Sequence, residues 1–167
     1  MHWISIDPAT KTGIARWRGA ALVDVATLRP ATPKEQRGHG SLVVVCGKTI
    51  YTDRLAFWSQ ELALARAVVM EEAMGFSPKA VAQLAFRRGY ITACAELRVV
   101  HVHEVNTSSW RKVAGEAWGV SFPAKSDAAK ALSVSLVREH YGVECSDDEA
   151  DAVLIGHWAL RTRTVRP

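Results

Sequence analysis

Long apolar runs and paired cysteines are both missing from this chain. No run of about 18 uncharged apolar residues occurs, so the sequence predicts no transmembrane helix. The three cysteines are odd in number, widely spaced and without a C-x-x-C pair, which argues against a disulfide framework and a zinc knuckle. We expect Cys46, Cys94 and Cys145 to be reduced and structural. The first residues form a strand-like pattern and not a signal peptide, so we expect a soluble, cytoplasmic protein with no membrane partner.

Internal repeats, low-complexity tracts and a large charge imbalance are also absent. The 167 residues are 49% hydrophobic and 23% charged, which is ordinary for a globular protein, and the length suits a single domain over residues 1–167. The net charge of +4 and the pI of about 9.1 are compatible with a polyanionic partner. If several acids are taken up by a metal cluster, the remaining surface is more basic still.

The order of apolar patterns predicts an α/β protein. Three strand-like segments come first, followed by a helix, a strand, a helix, a strand at 99–105 and further helices, the first of these at 123–141. Turn-forming residues predict a loop insertion around residues 29–48, with a short hairpin formed by 41–46 and 49–51. Ser146 and Glu149 have the spacing of a capping box, which marks the start of a last helix from 147 to about 161.

Four acidic residues stand where distant parts of such a fold can meet. Asp7 ends the first apolar run, and Glu71 ends a later one. Asp148 and Asp151 are three residues apart near a helix start. Carboxylates that converge on one point repel each other unless a cation compensates, so metal binding is the first hypothesis. Asp148 has a second explanation, because acids near a helix N-terminus also interact favourably with the helix dipole. Glu72 leaves open which of two adjacent glutamates faces the metal.

This donor set suits phosphodiester hydrolysis. The reaction needs an activated water, a stabilised pentavalent phosphorus and a neutralised leaving oxygen, and two Mg²⁺ ions about 3.5–4 Å apart supply all three. Hard cations such as Mg²⁺, or Mn²⁺ in its place, prefer carboxylate oxygens to cysteine and histidine. The sequence therefore indicates a metal-dependent hydrolase of phosphate esters.

Four segments of the chain are informative when taken together. The first is Ile4-Ser5-Ile6-Asp7-Pro8 with Thr12-Gly13-Ile14-Ala15, and the second is Val69-Met70-Glu71. The third is Leu84-Ala85-Phe86-Arg87-Arg88-Gly89, and the last is Asp148-Glu149-Ala150-Asp151-Ala152. In order and spacing they resemble the motifs of RuvC-like Holliday-junction resolvases, and the resemblance spans most of the chain.

The resemblance implies a ribonuclease H-like α/β fold, with a mixed five-stranded sheet flanked by helices. It also implies a homodimeric Mg²⁺-dependent endodeoxyribonuclease that nicks Holliday junctions or other branched DNA in recombination and repair, in a bacterial cell or a phage-infected host. By matching position, the metal ligands would be Asp7, Glu71, Asp148 and Asp151.

A further segment, Asn106-Thr107-Ser108-Ser109-Trp110-Arg111-Lys112 followed by Lys125 and Lys130, resembles the region where the family has basic DNA contacts. Lys125 is the candidate cation beside the scissile phosphate, and Arg87, Arg111 and Lys112 are candidate backbone contacts. Phe76 lies two residues beyond the position where the family has an aromatic, and is a candidate contact at the junction.

Each of these basic residues has a structural alternative. Lys112 and Lys125 are equally well explained as solvated surface charges, and we expect Lys130 to be one. Arg111 has the alternative of packing over the indole of Trp110.

Two other functions are compatible with parts of the sequence. A scaffold that binds branched DNA without cutting it agrees with the basic charge, although acids without metal would repel the phosphate backbone. An actin-like phosphotransferase also has an Asp before a Thr-Gly hairpin, but such enzymes need two lobes and a longer chain.

Overall fold

The computed structural model describes residues 1–30, 41–45, 48–52, 54–72 and 78–166, which form a seven-stranded sheet with helices on both faces. The strands are β1 (His2–Asp7), β2 (Thr12–Arg18), β3 (Ala21–Pro30), β4 (Ser41–Val45), β5 (Lys48–Thr52), β6 (Ala67–Glu71) and β7 (His101–Val105). The helices are α1 (Arg54–Leu64), α2 (Pro78–Glu96), α3 (Thr107–Trp118), α4 (Ser126–Tyr141) and α5 (Asp147–Arg161). No helix in these ranges is long and apolar enough to cross a membrane.

The strands lie in the order β5-β4-β3-β2-β1-β6-β7. Strands β1, β6 and β7 are parallel, whereas β1 to β5 pair antiparallel in succession. Five neighbouring strands, β3, β2, β1, β6 and β7, form the predicted mixed sheet. The expected fold class is therefore confirmed. The β4–β5 hairpin extends the sheet at one edge. It occupies part of the predicted 29–48 insertion, of which residues 31–40 and 46–47 lie outside the described residues.

Alternation along the strands gives the sheet two apolar faces. In β1, Trp3 belongs to the core that contains α3, α4 and α5, whereas Ile4 and Ile6 belong to the core that contains α1 and α2. In β6, Val69 joins the first core, and Met70 joins the second. Side chains two residues apart on a strand lie on the same face of the sheet. The face that a strand residue occupies therefore decides whether an acid at the strand end lies on the side of α5.

Helix α5 lies against the sheet because β2 has a glycine where the two meet. A Cβ atom on Gly13 would lie 1.8 Å from the carbonyl oxygen of Asp148, so any side chain would displace the start of the helix. The Ser5 hydroxyl in β1 donates to the Ala152 carbonyl at 2.7 Å. Since Gly13 pairs with Asp7 in the β1–β2 ladder, these contacts hold the first turn of α5 at the end of β1.

The predicted capping box at the start of α5 is confirmed. The Ser146 hydroxyl accepts from the Glu149 backbone amide, and the Glu149 carboxylate accepts from the Ser146 amide at 2.8 Å. Helix α4 begins at Ser126 and not at 123, because Lys125 is its extended N-cap residue. Cys94 and Cys145 are free, as expected, and Cys46 lies outside the described residues.

The predicted strand at 99–105 is shorter than expected. Val99 has a left-handed backbone with φ of 55°, and it follows α2 in a turn in which its amide donates to the Glu96 carbonyl. The Val100 amide donates to the Ala95 carbonyl, which completes a Schellman motif. A β-branched residue such as Val99 favours a strand by its local preference. The hydrogen bonds that end α2 outweigh that preference, so β7 begins at His101.

Candidate active site

Two of the predicted acids lie side by side at one end of the sheet. Strands β1 and β6 are parallel neighbours with Ile6 opposite Met70. The next residues, Asp7 and Glu71, are therefore the last residues of two adjacent strands. Asp7 lies on the same face of the sheet as Trp3, and Glu71 lies on the same face as Val69. Both carboxylates are therefore on the α5 side. Glu72, the next residue, alternates to the opposite face and is exposed. The structure therefore places Glu71, and not Glu72, beside Asp7.

Helix α5 brings the other two acids to the same place. Asp148 and Asp151 lie in its first two turns, and both are buried, as is Asp7. Asp151 Oδ1 is buried without a hydrogen-bond partner. A buried carboxylate oxygen without a donor is costly, so Asp151 Oδ1 fits the role of a ligand to a cation.

Burial and neighbouring charges raise the pKa values of Asp7, Asp148 and Asp151. Burial raises the pKa of Asp7 well above its ordinary value of 3.8, and the negative charges of Glu71, Asp151 and Asp148 raise this pKa further. Burial raises the pKa of Asp151 to about 6, although the Ser133 hydroxyl and the charge of Arg111 oppose this. The pKa of Asp148 is also raised, first by burial. Negative charges held close together repel each other, and a bound cation would lower that repulsion.

Glu71 is oriented by two residues that sequence reasoning missed. Its Oε1 accepts hydrogen bonds from the Thr107 hydroxyl and, at 3.1 Å, from the Trp110 indole Nε1. Both donors lie on the first turns of α3, which Asn106 caps by accepting from the Ser109 amide. The N-cap pattern Asn106-Thr107-Ser108-Ser109 is visible in the sequence, but its position over Glu71 depends on the packing of α3.

The expectation of a solvated Lys130 is wrong. Its Nζ atom donates to Asp147 Oδ2 at 2.5 Å and lies 3.6 Å from Asp148 Oδ1. Its positive charge lowers the pKa values of Asp7, Asp148 and Asp151 against the influences that raise them. Lys130 is thus part of the acidic cluster, because α4 packs beside the first turn of α5.

The cluster has the donor chemistry of a magnesium site, but it is not arranged as a finished one. Carboxylate oxygens are the ligands that Mg²⁺ and Mn²⁺ prefer. Among the described residues, no three acidic, histidine or cysteine side chains are placed to hold a metal as they stand. Asp148 Oδ1 is 3.6 Å from the Lys130 Nζ atom, so a cation on Asp148 would compete with a contact already made.

The basic candidates differ in their surroundings. The Arg111 guanidinium packs over the rings of Trp110, at 5.0 Å, and Phe122, at 5.7 Å, and its buried Nε has no hydrogen-bond partner. Its charge also lowers the pKa of Asp151, so Arg111 borders the cluster. Lys112 is 75% exposed and only loosely paired with Glu116, at 3.9 Å.

The remaining candidates lie on other elements. Lys125 is exposed at the N-cap of α4 and makes no side-chain capping bond. Arg87 on α2 donates to the Thr10 hydroxyl at 3.2 Å, in the turn that follows Asp7. Phe76 lies outside the described residues.

An open cleft adjoins the cluster on the α3 side. It has a volume of about 480 Å³, and Arg111 and Lys112 contribute its positive charge. Ser108 and Ser121 provide hydroxyls, and Glu116 is its acidic residue. The cleft has polar and basic lining residues of the kind that contact a nucleic-acid backbone.

No protein-family model and no curated protein sequence matches the chain. Among solved structures, it is similar to RuvC of Thermus thermophilus in complex with a Holliday junction substrate, with a TM-score of 0.58. The sequence identity is 14%, and the match covers 100% of this chain and 99% of that chain. The fold is RuvC-like. A second T. thermophilus RuvC structure matches with a TM-score of 0.53 at the same identity and coverage. At this identity the likeness shows the fold, which confirms the ribonuclease H-like architecture expected from the sequence.

Proposed function

We propose that this protein is a metal-dependent endonuclease that hydrolyses phosphodiester bonds of branched DNA. The observation that carries the proposal is the convergence of Asp7, Glu71, Asp148 and Asp151 from two parallel strands and one helix of a RuvC-like fold. Packing does not account for it, because buried like charges destabilise a fold unless they have a ligand.

The four carboxylates are the proposed metal ligands. The all-oxygen donor set, the unpaired Asp151 Oδ1 and the mutual repulsion around Asp7 support a hard divalent cation, Mg²⁺ or Mn²⁺, and two ions suit the number of acids. Bound there, the ions would supply an activated water and offset charge on the phosphorus and leaving oxygens. Thr107 and Trp110 would hold Glu71 in position for that ligation.

Basic residues around the cluster would hold the DNA backbone. Lys125 is the proposed cation beside the scissile phosphate, because it is exposed at the N-cap of α4, five residues before Lys130. Arg111 and Lys112 would contact neighbouring phosphates from the cleft, and Arg87 would do so from beside the turn after Asp7. Phe76 stays a proposed contact at the junction.

Branched DNA is the proposed substrate, since one similar structure is a RuvC complex with a Holliday junction substrate. Two matched nicks in a four-way junction require two active sites, so we propose a homodimer acting in recombination and repair.

The test is cleavage of a labelled four-way junction, beside linear duplex of the same sequence, with and without Mg²⁺. Wild type is expected to nick the junction in opposed strands only when Mg²⁺ is present. Asp7→Asn and Asp151→Asn are expected to lower the rate by at least about 100-fold, because each removes a charged ligand.

Glu139→Gln is the matched control, since Glu139 is an exposed carboxylate on α4, and we expect its rate to equal that of wild type. Tight junction binding by wild type without any cutting would contradict the proposal and favour a non-catalytic scaffold.

A further inference from the structure

Lys130 lies between two acids that face different surroundings. Asp147 Oδ2 is 2.5 Å from its Nζ, and the Asp147 side chain is 42% exposed. Asp148 Oδ1 is 3.6 Å from the same Nζ, and the Asp148 side chain is only 9% exposed. Lys130 therefore donates to the outer carboxylate while its charge compensates the inner one.

The lysine is the nearest compensating charge that the described residues provide for this group of acids. Its charge acts on Asp7, Asp148 and Asp151 together, whereas Lys11 acts on Asp148 and Arg111 acts on Asp151. Because Lys130 extends from the first turns of α4, its flexible side chain can move by a few ångströms without any change in the backbone.

An ammonium group and a divalent cation cannot share the inner carboxylate without penalty. Two positive charges about 4 Å apart repel each other by several kcal/mol at a protein surface, even with substantial solvent screening. A metal ion on Asp148 would therefore displace Nζ outward, where Asp147 is already its hydrogen-bond partner.

Resting on the proposed metal-dependent function, we propose that Lys130 is a resident counter-ion of the acidic cluster. It compensates Asp148 while the metal is absent and pairs with Asp147 alone once a divalent cation binds. Lys130 is thus a positioning residue that sets the metal affinity of the site, and Asp147 is the residue that receives it.

The test measures Mn²⁺ binding from the loss of the electron paramagnetic resonance signal of free Mn²⁺, with thermal unfolding in EDTA as a second readout. Lys130→Met is expected to bind Mn²⁺ about tenfold more tightly than wild type, because the competing cation is gone. The same variant is expected to unfold at a lower temperature in EDTA, because its acids are no longer compensated. Asp147→Asn is expected to bind Mn²⁺ more weakly than wild type, since the ammonium group keeps only Asp148.

A double-mutant cycle separates competition for Asp148 from a general effect of charge. In an Asp148→Asn background, Lys130→Met is expected to change Mn²⁺ affinity less than twofold. A full tenfold tightening in that background would overturn the inference. Arg138→Met is the matched control on the same helix, because Arg138 pairs with the exposed Glu144 at 2.8 Å, and it should leave Mn²⁺ binding unchanged.

The remaining outcomes distinguish the inference from the function on which it rests. If wild type binds Mn²⁺ and Lys130→Met binds it equally well, the inference fails and the proposed function stands. If neither protein binds Mn²⁺, both fail. Binding by Lys130→Met alone would show that Lys130 blocks the site and does not yield it to a cation, which would contradict both the inference and the proposed function.

Discussion

Asp151→Asn is expected to stabilise the metal-free protein while it abolishes activity. Asp151 is buried in α5, and its Oδ1 has no hydrogen-bond partner. Burial raises its pKa from 3.8 to about 6, so the carboxylate is ionised at neutral pH against an electrostatic cost. Because the folded-state pKa is the higher one, the stabilising contribution of this group is complete below pH 3.8 and is lost as the pH rises through about 6.

The size of the effect follows from the shift in pKa. The difference between 3.8 and about 6 corresponds to about 3 kcal/mol at neutral pH, since one pKa unit is equivalent to about 1.4 kcal/mol. The asparagine amide keeps the shape but introduces donors that need partners, and Arg111 loses a neighbouring negative charge, so we expect a net stabilisation of about 2 kcal/mol. For a chain of this length, that raises the melting temperature by roughly 4–8 °C.

The assay is differential scanning calorimetry in EDTA at pH 7.5 and at pH 5. Wild type is expected to gain stability at pH 5 relative to Asp151→Asn, and Mg²⁺ at pH 7.5 is expected to stabilise wild type but not the variant. Glu139→Gln is the control for removing an exposed negative charge. A lower melting temperature for Asp151→Asn than for wild type in EDTA at pH 7.5 would refute the electrostatic reasoning.

Three further predictions concern a close packing contact, a left-handed backbone position and an ion pair, each measured by urea unfolding. Gly13→Ala should cost more than about 3 kcal/mol and reduce junction cleavage, because its Cβ would collide with the Asp148 carbonyl; a neutral effect would contradict the proposed close approach. Val99→Gly should stabilise by about 1 kcal/mol, because the left-handed Val99 is 88% exposed and packs against little; destabilisation would contradict this. Arg16→Met should cost about 2 kcal/mol, because it leaves the half-buried Glu61 without its paired bonds at 2.7 Å; an unchanged stability would show that the pair contributes nothing.

Local features of the fold were predictable because they depend on a few neighbouring residues. The capping box of Ser146 and Glu149 is set within four residues, and the end of α4 at Gly142 needs only a left-handed position, with φ of 67°. The strand ends at Asp7 and Glu71 followed from apolar runs that stop at an acid. The choice of Glu71 over Glu72 was open, because both faces of β6 are apolar. Only the pairing of β6 with β1 decides which of the two glutamates lies on the α5 side.

Contacts between distant elements were not predictable in the same way. Lys130 has the sequence of an exposed helical lysine, and only the packing of α4 against α5 brings it to Asp147, 17 residues away. The bonds of Thr107 and Trp110 to Glu71 span 36 and 39 residues and depend on where α3 lies. Gly13 did carry a signal, because a glycine within a strand often marks a close approach.

The most direct test of the proposed metal centre is anomalous diffraction from crystals soaked in Mn²⁺. We predict a Mn²⁺ peak in contact with carboxylate oxygens of Asp7 and of at least one of Glu71 and Asp151, with Lys130 Nζ turned away from Asp148 towards Asp147. Density that shows no Mn²⁺ at Asp7 at a saturating concentration, or Mn²⁺ bound only elsewhere on the surface, would contradict the proposal that these four carboxylates form the metal centre of a nuclease.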